Sequence, residues 1–506
     1  MRATSAALML AFTLQTLPAG AQMQGGAELP DMGSPADTVL TREQERAIAL
    51  SVIEQFRSAG RLVTDPEINE YVTGLGRRLA YRAQNGDHQF HFFVVKAQSI
   101  NAFALPGGYI GVHTGLIDAT ANESELAGVL AHEIAHVTQN HISRQIQAMR
   151  GTSIMTMATM LAALLVGGLM GGGGDFMQGA LMAGTGMAQQ QQINFTRAHE
   201  HEADRIGIGT LYAAGFDPRG LPAFFETMSR AESLSARAIP EILRTHPVNV
   251  NRMAEARARI TPDMMRNVDN SLSYYLARAQ ARLLGSDSPE EAMRHFRSQP
   301  LTETEADVGR FYGQGLALLD MGRADEAMAV LNNLLADYPD SIPLRIAIAR
   351  THAVAGDGRT ARRIFEEALA LFPGNLSLGH RYAEVLLAEG QAPLARELLM
   401  GYLLDDKLDL ETMRLLAQAS GESGRTADAH YYMAEHHLMR RNLNGAHTQL
   451  QLALKAAEHA DEVRRSRIEA RLEQVEMMAE EMNGQLTAVS RPGEGSLFRI
   501  ELPAAD

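Results

Sequence analysis

His132-Glu133-Ile134-Ala135-His136, followed 64 residues later by Glu200-His201-Glu202-Ala203-Asp204, decides how this chain is read. Residues four apart share one face of a helix, so the imidazoles of His132 and His136 can grip a single zinc ion while Glu133 points at its water. The preceding Asn122-Glu123-Ser124-Glu125 reads as a capping box, and Leu126, Val129, Leu130 and Val137 supply a buried apolar side. The two histidines therefore fall mid-helix, held by packing. A structural zinc site closes its shell with four protein ligands, often cysteines, and the chain has no cysteine. An open, catalytic site fits better. The longer zincin pattern fails, because Gln139 and Ile142 stand where its glycine and third histidine would be, so the third ligand comes from elsewhere.

A second helical run from Thr196 to about Ala214, stopped by Gly215 and Pro218, carries the candidates. Glu200 leads. His199, His201 and Glu202 compete with it and otherwise form a solvated face or rim. Asp204 lies one turn beyond Glu200, placed to accept the second N–H of a ligating imidazole and fix its tautomer. The pair HEIAH and EHEAD resembles the metallopeptidase family of the CAAX prenyl endopeptidases and HtpX, in which the first Glu of an E-x-x-x-D motif completes the metal site; by that pattern Glu200 is the ligand. The resemblance takes in Asn101-Ala102-Phe103-Ala104-Leu105-Pro106-Gly107-Gly108-Tyr109-Ile110 and Thr114-Gly115-Leu116-Ile117, which look like the strand and turn before the zinc helix. It implies an edge strand whose free backbone groups pair with an extended peptide. Thr245-His246-Pro247, with Arg252 following, also matches. From spacing alone His246 is a surface histidine before a proline turn. The resemblance implies that it reaches the site, either to stabilise the oxyanion of a tetrahedral intermediate or to take the fourth position on zinc and leave the enzyme latent.

The 506 residues suffice for two or three domains. Met1-Arg2, an apolar stretch from Ala6 to Leu17 and Ala19-Gly20-Ala21 predict a cleaved signal peptide over 1–21, with a flexible leader over 22–39. Export to a bacterial periplasm is the expectation. A net charge of −14 argues against a nucleic-acid partner, which demands clustered Lys and Arg. The protease core is expected over 40–257, with Leu40 to Ala83 helical and Phe90 to Val95 a short strand. Gly151 to Gly174 carries no charge, and Met155, Met157, Met160, Met170, Met177, Met182 and Met187 concentrate around it. One membrane crossing there would leave His136 and Glu200 on opposite sides, where they could not share a metal, and 176–188 is too short to return. The insert over 151–188 reads instead as a helical hairpin over the cleft or dipping into a membrane, a peripheral contact at most.

The C-terminal half repeats. Gly322, Gly356, Gly390 and Gly424 are 34 residues apart, as are Ala327, Ala361, Ala395 and Ala429, while Pro339 matches Pro373. This period is the tetratricopeptide signature: glycine for the turn, alanine for close helix contact. The solenoid is expected over 270–481, beginning near Ser271 and closing with capping helices. The tail over 482–506 alternates like a β-hairpin around Pro492-Gly493 and looks like the last segment of a histidine-kinase ATPase domain, without its nucleotide boxes.

The fold class expected is mainly α, a zincin-like domain with a small sheet followed by an α-solenoid. The combination resembles the bacterial periplasmic β-barrel assembly-enhancing proteases. That resemblance implies one Zn²⁺ per subunit, stalled or unfolded outer-membrane proteins as substrates, the β-barrel assembly machinery as a partner of the repeats, and a place in the periplasm beside the outer membrane. Under it Glu133 is the general base, His132, His136 and Glu200 are the ligands, Asp204 supports them, and His246 is latch or stabiliser. The rival reading is a chaperone or adaptor in which the repeats matter most and proteolysis is latent.

Overall fold

A computed structural model describes residues 40–83, 88–148, 186–234, 241–247, 250–302, 304–404, 409–457, 462–481, 485–491 and 495–501. The expected signal peptide and leader, and the expected insert up to residue 185, lie outside the described residues.

The catalytic half opens with α1 (Arg42–Ser58) and α2 (Pro66–Ala80). Thr41 and Gln44 form a reciprocal capping box on α1, and Asp65 caps α2 ahead of a proline at its first position. The stretch from Leu40 to Ala83, expected to be helical, forms two helices, because Gly60 at φ 65° turns the chain and Leu62 bridges to Val95. Strands β1 (His91–Val95), β2 (Ala102–Leu105) and β3 (Tyr109–His113) form a sheet of order β1-β3-β2, with β1 parallel and β2 antiparallel to β3. The outer edge of β1 is occupied: the Val63 N–H donates to the Val94 carbonyl, and the Lys96 N–H donates to Arg61. β2 has no strand partner on its other side among the described residues, where the Ala104 backbone meets Glu133.

From β3 the chain enters α3 (Thr114–Ala119) and then α4 (Glu123–Thr138), the helix of the HEIAH motif. The Asn122 side chain accepts from the Glu125 N–H as the capping pattern predicts, but Glu125 reaches back to the Ala121 N–H, one residue before the cap. Every residue of α4 is buried, not only its apolar stripe. The helix is threaded through the core between α2, the sheet, α6 (Gly186–Ala213) and α7 (Gly220–Leu234), with α5 (His141–Ala148) folding back from its end. Leu126, Leu130 and Ile134 are fully buried, each contributing about 1.5–3 kcal/mol. The helix of the second motif begins ten residues before Thr196, since Met187-Ala188 and four glutamines give the backbone no reason to stop. It ends at Gly215, whose φ of 84° only glycine adopts freely. Two short helices, α8 (Glu241–Thr245) and α9 (Val250–Ala258), complete this half.

The solenoid runs through α10 (Leu272–Gly285), α11 (Pro289–Ser298), α12 (Ala306–Asp320), α13 (Ala324–Asp337), α14 (Ile342–Val354), α15 (Gly358–Leu371), α16 (Leu376–Ala388), α17 (Ala392–Leu404), α18 (Leu410–Glu422), α19 (Thr426–Met439), α20 (Leu443–Ala456) and α21 (Glu462–Glu481). Gly322, Gly356, Gly390 and Gly424 close the first helix of four successive pairs at φ 72°, 84°, 71° and 74°. Space around each is open, so backbone conformation alone demands glycine. Ala327, Ala361 and Ala395 are fully buried where helices touch. A hairpin of β4 (Gln485–Arg491) and β5 (Gly495–Glu501) follows, paired antiparallel with Arg491 opposite Gly495.

The halves pack together. Helix α10 serves both cores: Tyr274 and Ala281 pack into the catalytic core, Leu276 and Ala279 into the first solenoid core. Further along, Arg381 on α16 pairs with Asp65 and Glu67 at the start of α2, and Glu70 accepts from Asn375 and Ser377. Arg440 and Arg441, after α19, pair with Glu54 and Glu43 on α1. The solenoid therefore curls back against the first two helices. A cleft of about 820 Å³ remains between them, lined by Glu67, Glu70, Glu123, Asp337 and Asp340 among others, and none of the motif histidines borders it.

Candidate metal centre

Helices α4 and α6 cross at close range because of Gly207. A Cβ there would stand 3.2 Å from the Cα of His132, tighter than a relaxed contact, so a larger residue would push α6 a few tenths of an ångström off the histidine helix. That crossing brings the two motifs together. The Nε2 atoms of His132 and His136 face each other at 3.0 Å, and a Glu200 carboxylate oxygen stands 3.4 Å from each. His246, at the end of α8, completes the group. Its Nδ1 is 3.3 Å from His132 Nε2 and 3.2 Å from both Glu200 oxygens, while its Nε2 is 3.4 Å from Glu133. One donor atom from each of His132, His136, Glu200 and His246 falls within 4.8 Å of the others, and all four residues are buried. Three imidazole nitrogens and a carboxylate converging on one point form the donor set of a divalent cation, so the residues present fit a metal.

The surroundings hold these groups in place. Asp204 Oδ1 lies 3.0 Å from His132 Nδ1. Arg252, fully buried, donates from Nε to Asp204 at 2.5 Å, contacts Glu200 at 2.8 Å, and lies over the Phe225 ring at 4.8 Å. Burial opposes the charge on Asp204, but Arg252 and His132 overcome it and hold its carboxyl at about 2. Burial likewise disfavours charge on His132, yet Asp204 and Glu200 outweigh it and raise that imidazole to about 9. Burial pushes Glu200 up, and His246, His132 and His136 more than reverse this, keeping it well below the usual carboxylate range. The charges of Asp204, Arg252, His132 and Glu200 thus offset one another within the cluster. Glu133 differs: burial dominates, and its carboxyl is raised above the ordinary value despite His246 and His132 nearby and the backbone of Ala104 on β2. A carboxyl poised upward suits proton transfer near neutrality.

His132, His136, Glu200, Asp204, Glu133 and His246 thus meet in one buried cluster. His246 is not the surface histidine its spacing suggests, because the Ile242 N–H pairs with the Ile100 carbonyl beside β2 and carries α8 into the site. The competitors of Glu200 take other places. His201 contacts Glu255 at 2.8 Å, Glu202 meets His141 and Arg144, and His199 is buried against His141 instead of lying on a solvated rim. His141 was invisible to helical spacing: five residues past His136 and beyond a helix break, it shares no predicted face with the motif.

Residues 66–260 match the model of peptidase family M48, and 311–341 and 355–412 match tetratricopeptide repeat models. A Vibrio cholerae relative is 33% identical over 481 residues, spanning 94% of this chain and 98% of its own length. The chain belongs to peptidase family M48. The beta-barrel assembly-enhancing protease of Escherichia coli K12 is 31% identical over 492 residues, covering 94% of this M48 chain and 96% of that protein. Metalloprotease LoiP of the same organism is 26% identical over 260 residues, covering 51% of this chain and 97% of LoiP. This M48 chain is a metalloprotease with a tetratricopeptide solenoid, and the LoiP match is confined to about half of it. Among the described residues no helix is long and apolar enough to cross a membrane.

Proposed function

We propose that this chain is an exported zinc endopeptidase of the bacterial periplasm, acting on unfolded or stalled outer-membrane proteins at the outer membrane's assembly sites. The observation that carries the catalytic reading is the convergence of His132 Nε2, His136 Nε2 and Glu200 on one point with Glu133 beside it. The names of relatives aligned along 94% of the chain support the substrate class, and the repeats supply a surface for the β-barrel assembly machinery. One Zn²⁺ per subunit is held by His132, His136 and Glu200. When bound, zinc polarises the scissile carbonyl and lowers the pKa of water to about 7.

The chain's own residues do the rest. β2 offers its free edge to an extended peptide, so backbone pairing recognises the substrate with little demand on sequence. Glu133, reached by the backbone of Ala104 on that strand, takes the proton of the attacking water and passes it to the leaving amine. Asp204, 3.0 Å from His132 Nδ1, is placed to take that hydrogen and so leave the Nε2 lone pair for a metal. His246 is either a latch, its Nδ1 among the ligand atoms, or an oxyanion donor, its Nε2 beside Glu133. A latent state also accommodates chaperone action through the repeats.

Glu133→Gln tests the assignment, since it should retain zinc and lose endopeptidase activity; full residual cleavage would sink it. His246→Ala separates the two roles for that residue, with faster turnover expected of a latch and slower turnover of an oxyanion donor.

A further inference from the structure

The two histidine ligands are supported differently. His132 Nδ1 faces a carboxylate, Asp204, directly. His136 Nδ1 faces another imidazole, with His141 Nδ1 at 2.9 Å. From His141 the contacts continue outward: its Nε2 is 3.1 Å from Glu202 Oε2, and Arg144 Nη2 donates to the same oxygen at 3.0 Å. His141 is buried, edge-on to His136 with centroids 4.8 Å apart, and stacked flat on His199 at 4.2 Å. The turn that places it is unusual. Asn140 adopts φ 51°, a left-handed conformation that asparagine tolerates better than most residues, and this reverses the chain between α4 and α5.

We propose that His141 is a positioning residue for the metal centre, fixing the tautomer and ring plane of His136 through a chain that ends on Glu202 and Arg144. This rests on the reading of His136 as a ligand. An imidazole that ligates through Nε2 carries its hydrogen on Nδ1. Two Nδ1 atoms 2.9 Å apart need one donor and one acceptor, so His136 donates and His141 accepts. His141 then has its own hydrogen on Nε2, directed at Glu202, which Arg144 holds in place. Each donor meets an acceptor in only one ordering, and that ordering leaves the His136 Nε2 lone pair facing His132 and Glu200. Glu202, a competitor of Glu200 in the sequence, serves the site from behind instead of ligating.

The test compares the full chain with His141→Leu, which removes the acceptor, and His141→Gln, whose carbonyl can accept from His136 while its amide donates to Glu202. Zinc affinity is measured by competition with a chromophoric chelator, geometry by the visible absorption of the Co²⁺-loaded protein, and folding by melting of the metal-free forms. His141→Leu should weaken zinc binding about 10–100-fold and alter the cobalt spectrum, with His141→Gln within about threefold of the parent. Parental affinity and spectrum in His141→Leu would overturn the proposal, as would equal losses in both variants. If His141→Leu does not fold, Glu202→Leu, at a part-exposed position, decides: a several-fold loss of affinity supports the chain and none refutes it. Failure of the parent protein to take up zinc or cobalt would instead refute the metal-centre reading on which the proposal rests.

Discussion

The metal centre and the solenoid are built on opposite principles. At the centre, residues 132, 136, 200 and 246 meet through contacts spanning up to 114 positions, and nearly every group is polar, buried and paired. In the solenoid each helix pair packs on the next, glycines recur at one backbone angle, and small residues sit where helices touch. A fault in the first propagates through a network that acts as a unit. A fault in the second stays with its neighbours.

The comparison breaks most sharply at Glu133. Glu133→Gln should lower peptidase turnover by about 10²–10⁴-fold with the melting temperature little changed, as measured on an unfolded substrate. Asp204→Ala should remove about 3–5 kcal/mol of stability by leaving Arg252 buried without its main carboxylate, read from urea unfolding, and should weaken zinc binding in parallel. A loss below about 1 kcal/mol would mean the network is less coupled than its geometry implies. Ala361→Leu, overpacking a fully buried repeat contact, should destabilise the solenoid by about 1–3 kcal/mol while leaving zinc affinity at the parental value. Altered zinc binding in that variant would break the contrast between the halves.

Acidity sharpens the comparison because two paired carboxyls respond with opposite sign. Asp204 is held down to about 2, so its contribution is complete above about pH 4 and disappears as pH falls through 2. Asp65, at the contact with Arg381, is raised to about 7 by burial and by Glu67 beside it. Its folded form holds a proton that the unfolded chain releases near pH 4, so that contribution is complete below about pH 4 and is lost as pH rises through 7. Asp65→Asn should flatten the fall in stability between pH 4 and 7, and an unchanged profile would assign the slope elsewhere.

Much of this was legible in the chain. Helix periodicity places His132 and His136 on one face, and the 34-residue register of Gly322, Gly356, Gly390 and Gly424 reports a backbone angle that recurs with each repeat. Both signals are local, so they survive without the rest of the molecule. The burial of all of α4 was not legible, because Glu123, Ser124 and Glu125 look exposed until α10 and its flanks cover them: Glu123 accepts from Ser271 and from Tyr71. Nor was the shared helix α10, whose two faces serve two cores.

Sequence by itself determined the pairing of His132 and His136 on one helix face and the architecture of the repeats, since both follow from residue type at a fixed spacing along one helix or one helix pair. Tertiary structure alone decided that Gly207 would press α6 against His132, that Arg252 would bind Asp204 and Glu200, and that Asn140 would fold His141 back onto His136. Those contacts join segments with no common period. Their energy comes from groups that lose water together on burial, and pairing of that kind leaves no pattern along the chain.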